Sequence, residues 1–549
     1  MVSMGNPQVK KERIGLDKLL FFDINGLIGQ PQFQPDSGFY SGYTDVEKLI
    51  SEMSYFGIDY ALTSHWRSIQ YHPLVGNNSL IKEIKGNKRI FPCWYIMPSH
   101  TSEILSPNDL AGDLKSNGVR AVRLLLDKHN VCIEDWAIDS LFGILEKNNI
   151  LTIIKHPSLG VPVGGESHYY MERLHSICSK FPRLNVVSGG RLREYYPLLK
   201  KFKNLYISLE WEPHPNMVED ICKRFGAERI LFGTPHSEIA KGISGMPMMM
   251  ITVADISDKD KELIAGKNLM RLLGLNLQHR KDISITPNLE TIIKGKRLNY
   301  QIIDIHFHLG TYPDEYKPGT GVDETLKLME KLGVNKICIN SSEAVWGGDH
   351  YKGNDYVYSI CKQYPDKFVG FAVINPNFEN CEEYIERCIN QMGFKGIKIH
   401  PRIHKCDLND DRYRPVWQAS EKYNIPVLSH TGEGQPYSDP RCLRKIARGY
   451  PRGKFIIGHC GETFEGIKMS IELANEFKNI YLDISGWGFM NRGFLEFLVK
   501  HVDTDRILFG SDCGWVDFKY AVAVVLFSNI SEENKRKILG SNALKLFQR

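Results

Sequence analysis

Six phrases recur in the same order in the two halves of this chain. "LFFDINGLIG" at 20–29 is answered by "IIDIHFHLG" at 302–310, each an apolar run leading to an Asp and closing on a Gly. "GVRAVRLLL" (118–126) pairs with "GFKGIKIHP" (393–401), and "FPRLNVVSGG" (181–190) with "YPRGKFIIGH" (450–459). "KNLYISLE" (203–210) pairs with "KNIYLDIS" (478–485), and "GAERILFG" (226–233) with "DTDRILFG" (503–510). The last pair is "IAGKNLMRLL" (264–273) and "ILGSNALKLF" (538–547). Internal repetition is the sequence signature of repeated structural units. A chain of 549 residues also exceeds one ordinary domain. The repeat therefore predicts two homologous domains, 1–280 and 298–549, joined by a polar, weakly patterned connector at 281–297.

Within each domain, short β-branched runs alternate with amphipathic stretches such as "DETLKLMEKLG" (323–333), which has helical spacing and a Gly stop. In the second half, strands are expected at 302–308, 336–341, 368–374, 395–400, 426–430, 454–459, 480–485 and 507–511. The first half yields 19–25, 59–64, 90–96, 119–125, 150–155, 185–189, 205–210 and 229–233. Eight strand–helix alternations in about 250 residues indicate an α/β fold, a (β/α)8 TIM barrel, in tandem. An open doubly wound sheet is the competing reading, but no glycine-rich phosphate loop follows the first strand of either half.

Charge and apolar content narrow the function classes. Lys plus Arg number 69 against 64 Asp plus Glu, a near balance that implies no nucleic-acid partner. No apolar run approaches the roughly 18 residues of a membrane span. The start, "MVSMGNPQVKKERIG", has no apolar core and reads as a flexible lead rather than a secretory signal. The 12 cysteines never form a C-x-x-C pair, which suggests reduced thiols and a cytoplasmic setting. Most read as buried filler; Cys460 and Cys513 stand apart because each follows a candidate site residue.

The second half carries the chemistry. Residues two apart in a strand share a face, so His306 and His308 point together at the C-terminal end of the first strand, where active sites of this fold lie. His400, His430 and His459 end the fourth, fifth and sixth strands, and Asp512 follows the eighth. Five histidines and an acid on one rim would be a costly cluster unless something binds them. Neutral imidazoles with a carboxylate suit Zn²⁺ or a similar divalent metal. Such a metal would activate water near neutral pH, with Asp512 placed to accept a hydrogen bond from it. Trp346, Arg402, Tyr437, Arg441, Trp487 and Trp515 lie on the same rim; Arg402 could clamp a substrate carboxylate.

H-x-H on strand one, His on strands five and six and Asp on strand eight, within "GIKIHP", "SHTG", "GHCG" and "LFGSD", resemble the amidohydrolase superfamily. The likeness is to its amidohydrolase-2 group, which includes metal-dependent hydrolases and aminocarboxymuconate-semialdehyde decarboxylase relatives. The resemblance implies that His306, His308, His430 and Asp512 bind one metal, Zn²⁺ with Mn²⁺ as the alternative, and that His459 is the acid/base or polarising histidine. His400, Arg402, Trp346 and Tyr437 would then bind substrate. Lys398 is either a carboxylated metal bridge, as in some superfamily members, or an inner-layer salt-bridge residue. The expected activity is hydrolysis of an ester, lactone or amide of a small, carboxylated molecule. Non-oxidative decarboxylation or hydration on the same site is the alternative, and a metal-stabilised scaffold is the reading from another class.

Laid on the repeat, the first half has Asn25 for His306, Leu27 for His308, Leu125 for His400, Lys155 for His430, Gly190 for His459 and Pro235 for Asp512. His156 and His236 fall one step off register, where a strand side chain turns to the other face. Residues 1–280 are thus expected to keep the fold without the metal and to serve as an internal partner, a pseudo-dimer within one chain, with homo-oligomers as a further expectation. In some decarboxylase relatives an arginine after strand six reaches the partner's site. The resemblance makes Arg193 the candidate here, with Arg191 beside it in "GGRLREYY" (189–196).

Overall fold

The computed structural model describes residues 19–30, 44–125, 129, 132, 134–155, 164–189, 192–210, 214–235, 245–280, 286–294, 296–313, 316–490 and 493–548. Each half is an eight-stranded parallel sheet whose strands lie in sequence order. The first contains β1 (Phe22–Ile28), β2 (Tyr60–His65), β3 (Ile90–Tyr95), β4 (Ala121–Leu125), β5 (Leu151–Lys155), β6 (Val186–Ser188), β7 (Leu205–Ser208) and β8 (Ile230–Leu231). The second contains β9 (Ile303–Leu309), β10 (Lys336–Ser341), β11 (Phe368–Val373), β12 (Gly396–Ile399), β13 (Pro426–Ser429), β14 (Lys454–Ile457), β15 (Ile480–Asp483) and β16 (Ile507–Leu508). The tandem of (β/α)8 barrels expected from the repeat is the observed architecture. The strands are apolar on both faces because one face fills the barrel and the other meets the helices. Ile24, Leu62, Cys93, Ile153, Val187 and Leu231 pack in the first interior; Ile305, Cys338, Phe371, Leu428, Ile456 and Leu508 pack in the second.

The Asp shared by the two opening phrases closes each barrel. Asp23 accepts from the amide of Asn25 (2.9 Å), the amide of Thr234 (2.9 Å) and the Thr234 hydroxyl (2.5 Å). Asp304 accepts from the amide of His306 (2.9 Å), the amide of Ser511 (3.0 Å) and the Ser511 hydroxyl (2.5 Å). Backbone bonds from Ile24 to Phe232 (3.1 Å) and from Ile305 to Phe509 (3.0 Å) join the same edges. Burial pushes both carboxyls up, Asp23 to about 6 and Asp304 to about 8. Gly266 and Gly540 in the closing phrases have a matched duty. A Cβ on either would lie 2.6 Å from the Leu20 carbonyl or 2.2 Å from that of Gln301, so only glycine lets the last helix approach the first strand. Asp23→Ala strands three buried donors, each costing about 1–3 kcal/mol. We expect it to destabilise the first barrel by about 3 kcal/mol or more in urea denaturation, with metal content unchanged.

The two barrels share one continuous apolar core. The helices Met246–Val253 and Phe518–Leu526, at matching places after β8 and β16, are packed against each other. The first is entirely buried and rich in methionine, a side chain that adapts to irregular surfaces. Charges cross the same boundary: Lys519 Nζ lies 2.8 Å from Glu219 and 3.4 Å from Asp517, and Asp517 accepts from the amide of Asn216 (3.0 Å). The connector is not featureless. It holds the helix Pro287–Ile293, whose Asn288 donates to the Leu526 carbonyl (3.3 Å) and whose Ile292 is buried. None of the described helices is long and apolar enough to cross a membrane.

Candidate metal centre

His306 and His308 sit at the end of β9, buried, with their Nε2 atoms 3.2 Å apart. Asp512 Oδ1 lies 3.3 Å from His308 Nε2 and 3.6 Å from His306 Nε2. Three ligand atoms at these spacings suit one divalent ion, whose bonds to nitrogen and oxygen are about 2.0–2.2 Å. The donor chemistry fits as well. His306 Nδ1 is 2.8 Å from Asp483 Oδ2 and 3.1 Å from Ser485 Oγ, so that nitrogen carries the proton and leaves Nε2 bare. Burial, then the nearby charge of Lys398, holds His306 and His308 well below the usual imidazole range, in the neutral form a metal requires.

Lys398 points inward from β12, with Nζ 2.6 Å from His306 Nε2. Burial draws its ammonium down to about 8 and pushes the Asp512 carboxyl up to about 8, while the Lys398 charge opposes the latter. This lysine is therefore an inner neighbour of the cage.

His306, His308 and Asp512 form one triad; His430, His459 and Glu462 form a second, the ligand atoms of each within 4.8 Å of one another. His459 also belongs to a third group with His306 and Asp483. His430 Nε2 faces Gln435 Oε1 (3.2 Å) and Glu462 Oε1 (3.8 Å), while His400 stacks on the His430 ring at 4.0 Å. His459 Nδ1 meets Ser485 Oγ at 2.9 Å, and its amide donates to Asp483 (3.3 Å). Glu462 is pushed up to about 7, by burial first and then by the Asp512 charge. His459, Cys460, Glu462 and Asp512 all have positive φ (61°, 45°, 65° and 53°). Backbone strain of this kind costs of order 1–3 kcal/mol per residue and collects at functional sites.

Aromatic rings wall the centre. Trp346 meets His308 edge-on at 5.4 Å and His400 at 5.6 Å, and Tyr312 and Trp515 pack beside it. Arg402 is exposed just beyond β12, and its charge reaches His430 and Glu462. Tyr437 is 42% exposed at the rim. Arg193 crosses to the second barrel, but its guanidinium is engaged by the carbonyls of Pro313 (2.5 Å) and Tyr312 (3.1 Å). It thus holds a loop rather than presenting a free fork to a substrate. Cys460 and Cys513 are buried, their thiols pushed well up by burial, which leaves them inert.

Sequence reading missed Asp483, Ser485 and Glu462. A signal existed for Asp483, because "YLDIS" departs from "YISLE" of the first half at that position. In the first barrel, Asn25 donates to the Thr234 carbonyl (2.9 Å), and Leu27, Leu125 and Pro235 are buried. His156, Gly190, Arg191 and His236, with the side chains of Lys155 and Trp487, lie outside the described residues. Among the described residues, all three histidine–carboxylate clusters able to hold a metal are in the second barrel.

Residues 303–549 match the family model described as Amidohydrolase. The chain is 24% identical over 285 residues to the gamma-resorcylate decarboxylase of Rhizobium sp. (strain MTP-10005), covering 41% of this chain and 86% of that protein. It is 22% identical over 303 residues to the gamma-resorcylate decarboxylase of Rhodococcus jostii, covering 44% and 92%. The crystal structure of 2,6-dihydroxybenzoate decarboxylase from Rhizobium aligns at 20% identity with a TM-score of 0.38, over 45% of this chain and 99% of that one.

Proposed function

Residues 303–549 match the Amidohydrolase family model, and on that basis we propose that the second barrel belongs to this family and is a metal-dependent, non-oxidative decarboxylase of a small aromatic or conjugated acid. The observation that carries this reading is the pairing of a metal cage with a separate proton-handling cluster. Hydrolysis by an activated water needs the cage and one base. Decarboxylation also needs an acid that delivers a proton to carbon as the C–C bond breaks: R–CO₂⁻ plus H⁺ gives R–H plus CO₂. Glu462, half-buried beside His430 and His459, has its carboxyl pushed up to about 7 and can carry a proton near neutrality. The relatives aligned over most of their own length are named as decarboxylases, which supports the same choice over the hydrolysis expected from the sequence.

His306, His308 and Asp512 would hold the divalent metal, with His430 and His459 at its open side. The bound metal would supply Lewis-acid polarisation of substrate oxygens. Asp483 fixes the His306 tautomer, and Ser485 orients His459. Trp346, Tyr312 and Trp515 form an apolar aromatic wall beside the cage that would exclude water from a bound substrate. The first barrel serves as the built-in partner of the second.

Hydrolysis of an ester, lactone or amide is the second reading, favoured by the place of Asp512 beside the cage, where it could take a proton from water. Purified protein loaded separately with Zn²⁺ or Mn²⁺ should be offered hydroxybenzoates, 2,6-dihydroxybenzoate among them, and a panel of esters and lactones. The expected result is CO₂ with the decarboxylated ring, lost with a chelator and restored by metal. Ester or lactone turnover without CO₂ from any acid would establish the second reading instead.

A further inference from the structure

The loop after β9 is gripped by the first barrel along its described length. Arg193 donates to the carbonyls of Tyr312 and Pro313. The Tyr316 hydroxyl accepts from Arg224 (3.0 Å), which is itself braced on Asp220 at 2.9 Å. Gly319 lies so close to Asn216 that a Cβ there would come within 2.0 Å of its side-chain nitrogen. Next to these contacts, Lys317 Nζ is 2.8 Å from His214 Nδ1. Both side chains belong to residues only 7% exposed.

The same loop reaches the candidate site. Tyr312 packs against Trp346 and Trp515 at 4.9 and 5.1 Å. Lys317 Nζ stands 4.7 Å from the centre of the Trp515 ring, a favourable cation–π approach. Its charge is felt at Asp512, where it favours the ionised carboxylate. An ammonium has donors only, so His214 must accept through a bare Nδ1. His214 therefore aims the lysine through this hydrogen bond. Lys317 Nζ also reaches the Trp515 carbonyl at 3.5 Å, so it stands against one ring of the aromatic wall, and its anchor lies in the barrel without the described metal clusters.

We infer that His214 of the first barrel is a positioning residue for the second barrel's site: it sets Lys317 against Trp515 so that the ammonium faces the anionic end of a carboxylated substrate. This rests on the proposed action upon a carboxylate. It gives the first barrel a specific duty in that action, beyond packing.

The test uses the full, metal-loaded chain and a readout independent of turnover: calorimetric binding of benzoate, with resorcinol as a ring without a carboxylate. The variants are Lys317→Met, His214→Leu and His214→Gln, the last keeping an acceptor. A lost charge-assisted contact should weaken benzoate binding about 10-fold or more in Lys317→Met and several-fold in His214→Leu. His214→Gln should stay near wild type, and resorcinol affinity and metal content should hold in all three. His214→Leu should add nothing in the Lys317→Met background. In turnover, the effect should fall mainly on KM. The inference is overturned if wild type does not bind benzoate, if Lys317→Met binds it normally, or if resorcinol binding falls in parallel. It is also overturned if the His214 effect survives without Lys317. Should these binding differences appear while no acid is decarboxylated, the positioning role stands and the decarboxylase reading fails.

Discussion

His306→Ala, and separately Asp512→Ala, is expected to lower metal affinity by more than about 100-fold and to abolish turnover. Replacing a mere supporting partner of a metal ligand costs about 10–100-fold, and these two residues supply the ligand atoms themselves, 3.6 Å apart in a buried triad. Removing His306 also takes one partner from the buried carboxylate of Asp483, which the imidazole Nδ1 engages at 2.8 Å. Metal content per chain, by elemental analysis after dialysis against trace Zn²⁺, is the direct measurement. Thermal unfolding is an independent one: a ligand at 1,000 times its Kd stabilises the fold by about 4 kcal/mol. Wild type should therefore lose Tm with a chelator, and the variants should not. Asn25→Ala, at the matching place in the first barrel, should leave metal content unchanged. Loss of metal from Asn25→Ala together with retention in His306→Ala would reverse the assignment of the two halves.

His459→Asn is expected to keep most of the metal and to lose kcat by roughly 10²–10⁴-fold, the usual worth of a placed acid–base group. His459 touches both clusters, through Ser485 (2.9 Å) on one side and the His430 ring (4.9 Å) on the other, and is suited to pass a proton between them. Asn is the informative replacement, because His459 has φ 61° and Asn tolerates this left-handed region better than most residues. A fold defect is thus separated from a chemical one. Circular dichroism and metal content should match wild type while single-turnover rates collapse. Purification of the variant without metal would move His459 into the ligand set.

Periodicity and the internal repeat carried the architecture a long way. The sixteen expected strands coincide with the sixteen found, because β-branched runs bounded by helical patterns are a local property. The largest shift is at β1, expected at 19–25 and observed at Phe22–Ile28, where Asp23 closes the barrel and the pairing with β2 slips between Asp23 and Gly26. The H-x-H pair was legible for the same reason, since two positions on one strand share a face whatever lies around them.

The site beyond that pair was decided by tertiary structure. Asp483, 177 residues from His306, becomes its partner only because β15 curves around the same mouth. Glu462 reaches the centre through a turn in which four consecutive residues take positive φ, and no local pattern announces such a turn. His430 ends β13 as expected and stands with Glu462 and His459, because strand spacing around a barrel sets which rim residues meet. Arg193 leaves the first barrel toward the second, but two loop carbonyls take up its guanidinium. Sequence alone determined two barrels, the phrases that repeat between them, and the half that kept its imidazoles, for these follow from local alternation and from comparing the chain with itself. Which of those imidazoles converge, which acid joins them, and how the first barrel grips the loop beside them depend on sheet closure and on strained turns, which act between residues far apart in the chain.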